Sequence, residues 1–313
     1  MHESFTVAGL TLQNRVLVAS GTFGYGDEVP QLVDVNKLGG IVTKSLSMKP
    51  RDGNPAPRIA ETPSGMLNSI GLANIGVKKF IEEKIPKLST FSCAVIANIA
   101  ASSVEEYCGV LEKLDPFEAI AGFEINVSCP NVKEGGLSFG TDKEKVALIT
   151  KELRRRTKKP LMIKLTPNVT HISEFALAAE SEGADAVSVI NTIIGMAIDI
   201  RTRKTKLSTV TGGLSGPAIK PIALAKVYEV YRAVKIPVIG IGGITSWEDA
   251  VEFLLAGASA VQVGTYNFVV PSAGVTIAEG IKSFCEQQSI SDVGKLVGAV
   301  EAKRDLSVIE SWL

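Results

Sequence analysis

The run Asn126-Val127-Ser128-Cys129-Pro130-Asn131 sets a thiol between two carboxamides, where the apolar stretch Phe123–Val127 gives way to a turn. A packing cysteine is rarely framed by Asn-x-x on one side and Pro-Asn on the other. A free thiol titrates near pH 8.5, roughly within reach of neutral-pH proton transfer. His2 and His171 lie away from the ends of the apolar runs, and no Asp or Glu sits at such an end. Cys129 is therefore the evident candidate for a general base. Cys93, Cys108 and Cys285 sit in strand-start or helical contexts and read as packing residues. No cysteine pair has C-x-x-C spacing, so neither a zinc knuckle nor an iron–sulfur cluster is expected in this chain, and no metal site is predicted.

Other apolar runs end the same way. In order, the ends are Ser20, Lys44-Ser45, Asn98, Asn126 with Cys129, Lys164, Asn191-Thr192, Gly242-Gly243 and Gly264-Thr265. A lone Asn or Thr at such a place is more often a turn former than a ligand. A full set of polar or glycine ends is a much stronger signal. Lys44 and Lys164 are costly beside apolar strands unless each faces an anion, pairs with a neighbouring acid or reaches solvent. The carboxamides Asn68, Asn98, Asn126, Asn131 and Asn191 offer donors and acceptors suited to a planar ring with alternating N–H and C=O edges, such as a pyrimidine or a flavin. Gly242-Gly243 and Gly264-Thr265 expose backbone N–H groups of the kind that hold a phosphate. Thr211-Gly212-Gly213-Leu214-Ser215-Gly216 could close over the same ligand.

The elements that must position these residues are short apolar runs: 16–19, 40–43, 94–97, 123–127, 161–165, 186–190, 237–241 and 260–263. They are β-branched and apolar on both faces, as parallel strands under helices should be. Helical spacing separates them, as in Ile172, Phe175, Ala176 and Ala179, or Val77, Phe80, Ile81 and Ile85. Ser246 with Asp249 forms a capping signature for a helix ending near Gly257. This alternation predicts an α/β fold, a (β/α)8 TIM barrel, with an open doubly wound sheet as runner-up. The barrel is preferred because polar residues recur at every carboxyl end. Two connections, from Ser45 to about Asn74 and from Thr192 to about Gly216, are long and overhang that face. With no linker or repeat, residues 1–313 read as one domain. The run Arg154-Arg155-Arg156 reads as a solvated helix end.

Lys+Arg and Asp+Glu balance at 33 each in 313 residues, which argues against nucleic acid or an anionic membrane as partner. Four scattered cysteines, no leader-like N-terminus and no apolar run of membrane-spanning length predict a cytoplasmic protein.

These motifs, above all 68–72, 126–131, 190–192 and the two glycine turns, resemble the dihydroorotate dehydrogenases, flavin enzymes of pyrimidine biosynthesis, over essentially the whole chain. Cysteine at 129 marks the soluble class 1 branch, and Asn131-Val132-Lys133-Glu134-Gly135-Gly136 looks like its NAD-linked form. The resemblance implies FMN across the barrel mouth, held by Ser20, Lys44, Ser45, Asn98, Asn126, Lys164, Ile190, Gly216, Gly242, Gly243, Gly264 and Thr265. Lys164 would face the flavin's N1 side. Dihydroorotate would be held by Lys44, Asn68, Ser69, Ile70, Gly71, Leu72, Asn126, Asn131, Asn191 and Thr192. Cys129 would take a C5 proton as a hydride leaves C6 for flavin N5, and the loop from Cys129 to about Gly140 would close over the substrate. FAD and a 2Fe–2S cluster are implied only on a partner subunit that passes electrons to NAD+, with a homodimer inside a heterotetramer. The alternatives are a fumarate-using class 1 enzyme, a non-redox phosphate-binding barrel such as an isomerase or lyase, a flavin reductase acting on another pyrimidine or a tRNA base, and a binding-only barrel.

Overall fold

The computed structural model describes residues 5–29, 31–128 and 139–301. Eight parallel strands close on themselves into a barrel: Val16–Val18, Gly40–Val42, Ala94–Ile99, Gly122–Asn126, Leu161–Leu165, Ala186–Val189, Val238–Ile241 and Ala258–Val263. They are called strands one to eight below. The last pairs with the first through Val261–Val16 and Val263–Val18, so no edge is left open. All eight predicted strands are present, with ends shifted by a residue or two, and the closed barrel displaces the open-sheet alternative.

Helices follow the strands because apolar residues recur at helical spacing and caps stop the ends. Ser246 and Asp249 form a reciprocal capping box on the Trp247–Leu255 helix. The pattern Val77, Phe80, Ile81, Ile85 is not one helix: it divides into Gly76–Glu83 and Ile85–Leu88, with Pro86 near the start of the second. Proline has no N–H to give to the previous turn, so it is tolerated there and nowhere deeper. The arginine run is more than a solvated end. Arg154 pairs with Asp185 at 2.6 Å and donates to the carbonyls of Thr157 and Lys159, tying the helix Lys143–Arg154 to the start of strand five.

Two cores result. Between strands and helices lie Val95, Phe123, Ile125, Ile163, Val187, Tyr107 and Phe253, among others. Inside the barrel, Leu17, Val42, Ile96, Met162, Ala186, Ile239 and Ala260 pack against Val7, Leu10 and Leu12. Those last three belong to an antiparallel hairpin, Phe5–Val7 with Leu10–Leu12, that plugs the amino end. Two residues further along the strands, the interior layer turns polar: Asn98, Glu124, Lys164, Ser188 and Gln262 are all buried. At the carboxyl end the two long connections are not loops. Gly65–Asn68 pairs with Ile59–Thr62 and with Thr211–Ser215, which also pairs with Ile193–Met196, so both connections share one antiparallel sheet over the barrel mouth.

Candidate active site

Each strand delivers its polar end to this mouth. Ser20 donates to the carbonyl of Thr43 at 2.9 Å, joining the ends of strands one and two. Ser45 donates to Asn98 Oδ1 at 2.6 Å, and Asn98 Nδ2 donates to Glu124 at 2.7 Å. Asn191 Nδ2 meets Asn126 Oδ1 at 3.3 Å, and Asn126 also accepts from the Ser128 N–H. These two carboxamides come from strands four and six, on either side of Lys164 on strand five. Tyr107 donates to the Asn126 carbonyl at 2.7 Å and fixes the turn from behind.

The sheet above brings in the remaining residues. Asn68 Nδ2 reaches the Gly213 carbonyl at 3.4 Å. A Cβ at Gly213 would stand 2.1 Å from Thr192 Oγ1, so only glycine lets this strand approach the Asn191-Thr192 end so closely. The Ser69–Leu72 segment is held by its backbone. Ser69 N–H donates to Arg58, Asn54 N–H donates to the Ile70 carbonyl, and Asn74 Nδ2 donates to the Leu72 carbonyl. Gly216 and Gly243 meet in the same way: a Cβ on Gly243 would be 2.9 Å from the Gly216 carbonyl and 2.8 Å from Lys220 N, and Gly243 has φ +71. Thr265 donates to Ser215 at 2.7 Å, so the glycine turns of strands seven and eight and the 211–216 strand form one patch. Ile190 N–H donates to the Ile241 carbonyl beside Gly242.

Two lysines stand at the mouth, each with an acid near it. Burial lowers the Lys44 ammonium below its usual value; nearby Arg58 adds to this and Glu28 opposes it. Lys164 is 6 % exposed, and its ammonium stands 3.6 Å from Glu124. The three described cysteines lie elsewhere and are buried. Burial pushes the Cys93 thiol up to about 12 and raises Cys108 and Cys285, which suits inert packing. Cys129 and Asn131 lie outside the described residues. The residues flanking that stretch do meet: a Cβ at Gly140 would lie 3.3 Å from Ser128 Cα.

Sequence reasoning missed Glu124, Ser188 and Gln262, which underlie the mouth, and Asn168, whose side chain donates to the Thr192 carbonyl at 3.0 Å and accepts from the Ile194 N–H. A signal existed for Glu124. It lies two residues before Asn126 in the apolar run of strand four, hence on the same inward face. Glu124 is not at a strand end, so the pattern of polar ends does not mark it.

The dihydroorotate dehydrogenase family model matches residues 3–285. The chain belongs to the dihydroorotate dehydrogenase family. Curated relatives named dihydroorotate dehydrogenase B (NAD(+)), catalytic subunit, include those of Geotalea uraniireducens, 54% identical over 95% of this chain and 97% of that protein. The protein of that name from Pelobacter propionicus is 55% identical over 94% of this chain and 97% of its own. A crystal structure of DHODH from Eimeria tenella in complex with ferulenol superposes with a TM-score of 0.80 at 22% identity, over 95% of this chain and 88% of that one, and bears on the fold alone. Within this family fold, the mouth described above is where the strand ends converge.

The residues present fit a flavin nucleotide. Among the described residues, a Cβ beside Gly264 would meet only Ala19 Cβ at 3.7 Å, and one beside Gly21 nothing within 4 Å, so none of them fills the space at the ends of strands eight and one. Ser69 Oγ is buried at the mouth without a hydrogen-bond partner among the described residues. A buried ammonium, carboxamides and bare glycine backbone supply the donors and acceptors that a ring and its phosphate need.

Proposed function

We propose that this chain oxidises (S)-dihydroorotate to orotate in pyrimidine biosynthesis, as the catalytic subunit of an NAD+-linked dihydroorotate dehydrogenase. The observation that carries the reading is the pairing of Asn126 with Asn191 around Lys164, beside joined glycine turns. That set matches a planar anionic substrate lying over a phosphate-bearing cofactor. The resemblance of the 126–131 motif and the names of the relatives support the same reading.

FMN, when bound, supplies the two-electron acceptor for the hydride that leaves substrate C6. Gly216, Gly242, Gly243, Gly264 and Thr265 would hold its phosphate. Ser20, Ser45, Asn98, Asn126, Lys164 and Ile190 would surround the rest. Lys44 holds the substrate carboxylate, and its lowered ammonium pKa returns towards normal when an anion arrives. Asn68, Asn126, Asn131, Asn191 and Thr192 read the ring edges, with backbone groups of Ser69, Ile70, Gly71 and Leu72 alongside. Cys129 takes the C5 proton, and Lys164 stabilises the negative charge that develops below the substrate. Electrons leave through a partner subunit carrying FAD and a 2Fe–2S cluster, in a heterotetramer built on a homodimer. Residues 1–313 act as one domain, working in the cytoplasm. Among the described residues no helix is long and apolar enough to cross a membrane.

The test is an anaerobic visible spectrum of the purified chain before and after dihydroorotate. A flavin band near roughly 450 nm that bleaches is the expected result. A yellow protein that does not bleach redirects the substrate to another pyrimidine. A colourless protein that stays inactive with added FMN points to the non-redox barrel.

A further inference from the structure

Glu124 is fully buried, and its carboxylate is used from every side. Asn98 on strand three donates to Oε1 at 2.7 Å; Ser188 on strand six and Gln262 on strand eight donate to Oε2 at 2.8 and 2.7 Å. Lys164 on strand five stands 3.6 Å from Oε1, beyond the length of a strong charge-assisted hydrogen bond. Three neutral donors therefore hold the anion, and the ammonium lies near it without being captured. Among the described residues the same Gln262 keeps its Oε1 buried and unpartnered, so its amide donates to Glu124 while its own acceptor is left without a partner. A burial this complete, at the centre of a barrel whose neighbouring interior layer is wholly apolar, is expensive for packing alone.

We propose that Glu124 is a positioning residue that sets the charge at the floor of the mouth: it offsets the Lys164 ammonium, while its three neutral donors keep it from drawing that ammonium down. The inference rests on the FMN reading above. Two consequences of opposite sign follow. Removing the carboxylate charge leaves Lys164 unopposed and favours negative charge in the mouth. Removing one neutral donor strengthens the pull of Glu124 on Lys164 and disfavours it.

The measurement is the flavin midpoint potential of the FMN-loaded protein, by anaerobic equilibration with a reference dye. The reduced dye gives two electrons to the flavin and one proton comes from solvent, so the reduced ring carries one net negative charge more than the oxidised ring. Glu124→Gln should raise the reduction equilibrium constant about tenfold, an upward shift of about 30 mV for a two-electron couple. Gln262→Met should lower that constant about threefold, and Glu124→Asp, which keeps the charge, should stay nearer wild type than Glu124→Gln. A merely structural role predicts no ordered change of sign. Shifts in the same direction for Glu124→Gln and Gln262→Met, or none in folded yellow protein, overturn the proposal. If Glu124→Gln does not fold, Gln262→Met decides by its sign. A wild-type protein that takes up no flavin overturns the FMN reading itself, whereas a flavin that responds to Lys164→Met but not to these variants overturns this inference alone.

Discussion

The two ends of the barrel are built from the same strands by opposite rules. At the amino end Val7, Leu10 and Leu12 close the interior over a layer of Leu17, Val42, Ile96, Met162 and Ile239. Among the described residues this layer is apolar, and burial pushes the nearby Cys93 thiol up to about 12. Two residues along strands three to six and eight, the interior becomes Asn98, Glu124, Lys164, Ser188 and Gln262, joined by hydrogen bonds or, for Lys164, standing 3.6 Å from Glu124. Apolar packing closes one end, and a hydrogen-bonded polar layer opens towards the other, on the same strands. The lesson is that the polar layer is affordable because the apolar layer beneath it fixes strand register.

The largest expected break in this comparison is at Cys129. Cys129→Ala should keep bound FMN and lower turnover by about 10²–10⁴, the span of general-base contributions. Cys93→Ala, at the other end, should leave turnover per folded molecule unchanged. Steady-state rates on flavin-matched samples check both, and near-normal turnover in Cys129→Ala would remove the base assignment. Next is Lys164→Ala. If Lys164 stabilises developing charge as proposed, its loss should cost about 10²–10³ in turnover. It should fall mainly on kcat rather than on KM, since the charge develops only during reaction.

The converse break is at Leu12, 1 % exposed inside the plug. Leu12→Ala should lower unfolding stability by about 2–5 kcal/mol through lost burial and a residual cavity. Denaturant titration checks this, and turnover per folded molecule should hold. A loss of turnover with no loss of stability would mean the two ends are coupled more tightly than their packing indicates.

What the sequence made legible follows the same division. Strands one to eight were readable because burial on both faces demands unbroken β-branched runs, and the capping box at Ser246 and Asp249 was readable because its geometry is local. Lys164 was legible as a lysine in an apolar strand that must face an anion, pair with an acid or reach solvent, and the structure sets an acid beside it. Its pairing with Glu124 was not, because strand register across the barrel decides which side chains meet, and register is a long-range property. The antiparallel sheet joining residues 59–68 to 193–215 was hidden for the same reason: each half looks like a loop until the other is present. Asn168, holding Thr192 across the gap between strand ends, carries no local mark at all.

The smallest effect sharpens the comparison by pH. Asp249 lies in the helix that follows the Gly242-Gly243 turn, where it accepts from Lys220 at 2.7 Å and from the Thr245 N–H and hydroxyl at 2.8 Å. Burial alone would raise its pKa, but these partners outweigh it and hold the carboxyl below its usual value of 3.8. A depressed carboxyl contributes stability above its unfolded pKa and loses it as pH falls through the folded value. Asp249→Asn should therefore cost roughly 1 kcal/mol at neutral pH, the scale of one lost cap. The gap in melting temperature between variant and wild type should close as pH falls through the folded-state value, which lies below 3.8, once both carry a neutral group there. The plug has no such dependence, because Leu10 and Leu12 have nothing to titrate. Acid should then loosen the glycine-turn side of the mouth before the amino end. Amide exchange followed as pH falls below the folded-state value of Asp249 would show faster exchange of backbone around residues 243–249 than of strand register pairs such as Leu17–Gly40, and equal rates would mean that the charged cap adds nothing to the local stability of the mouth.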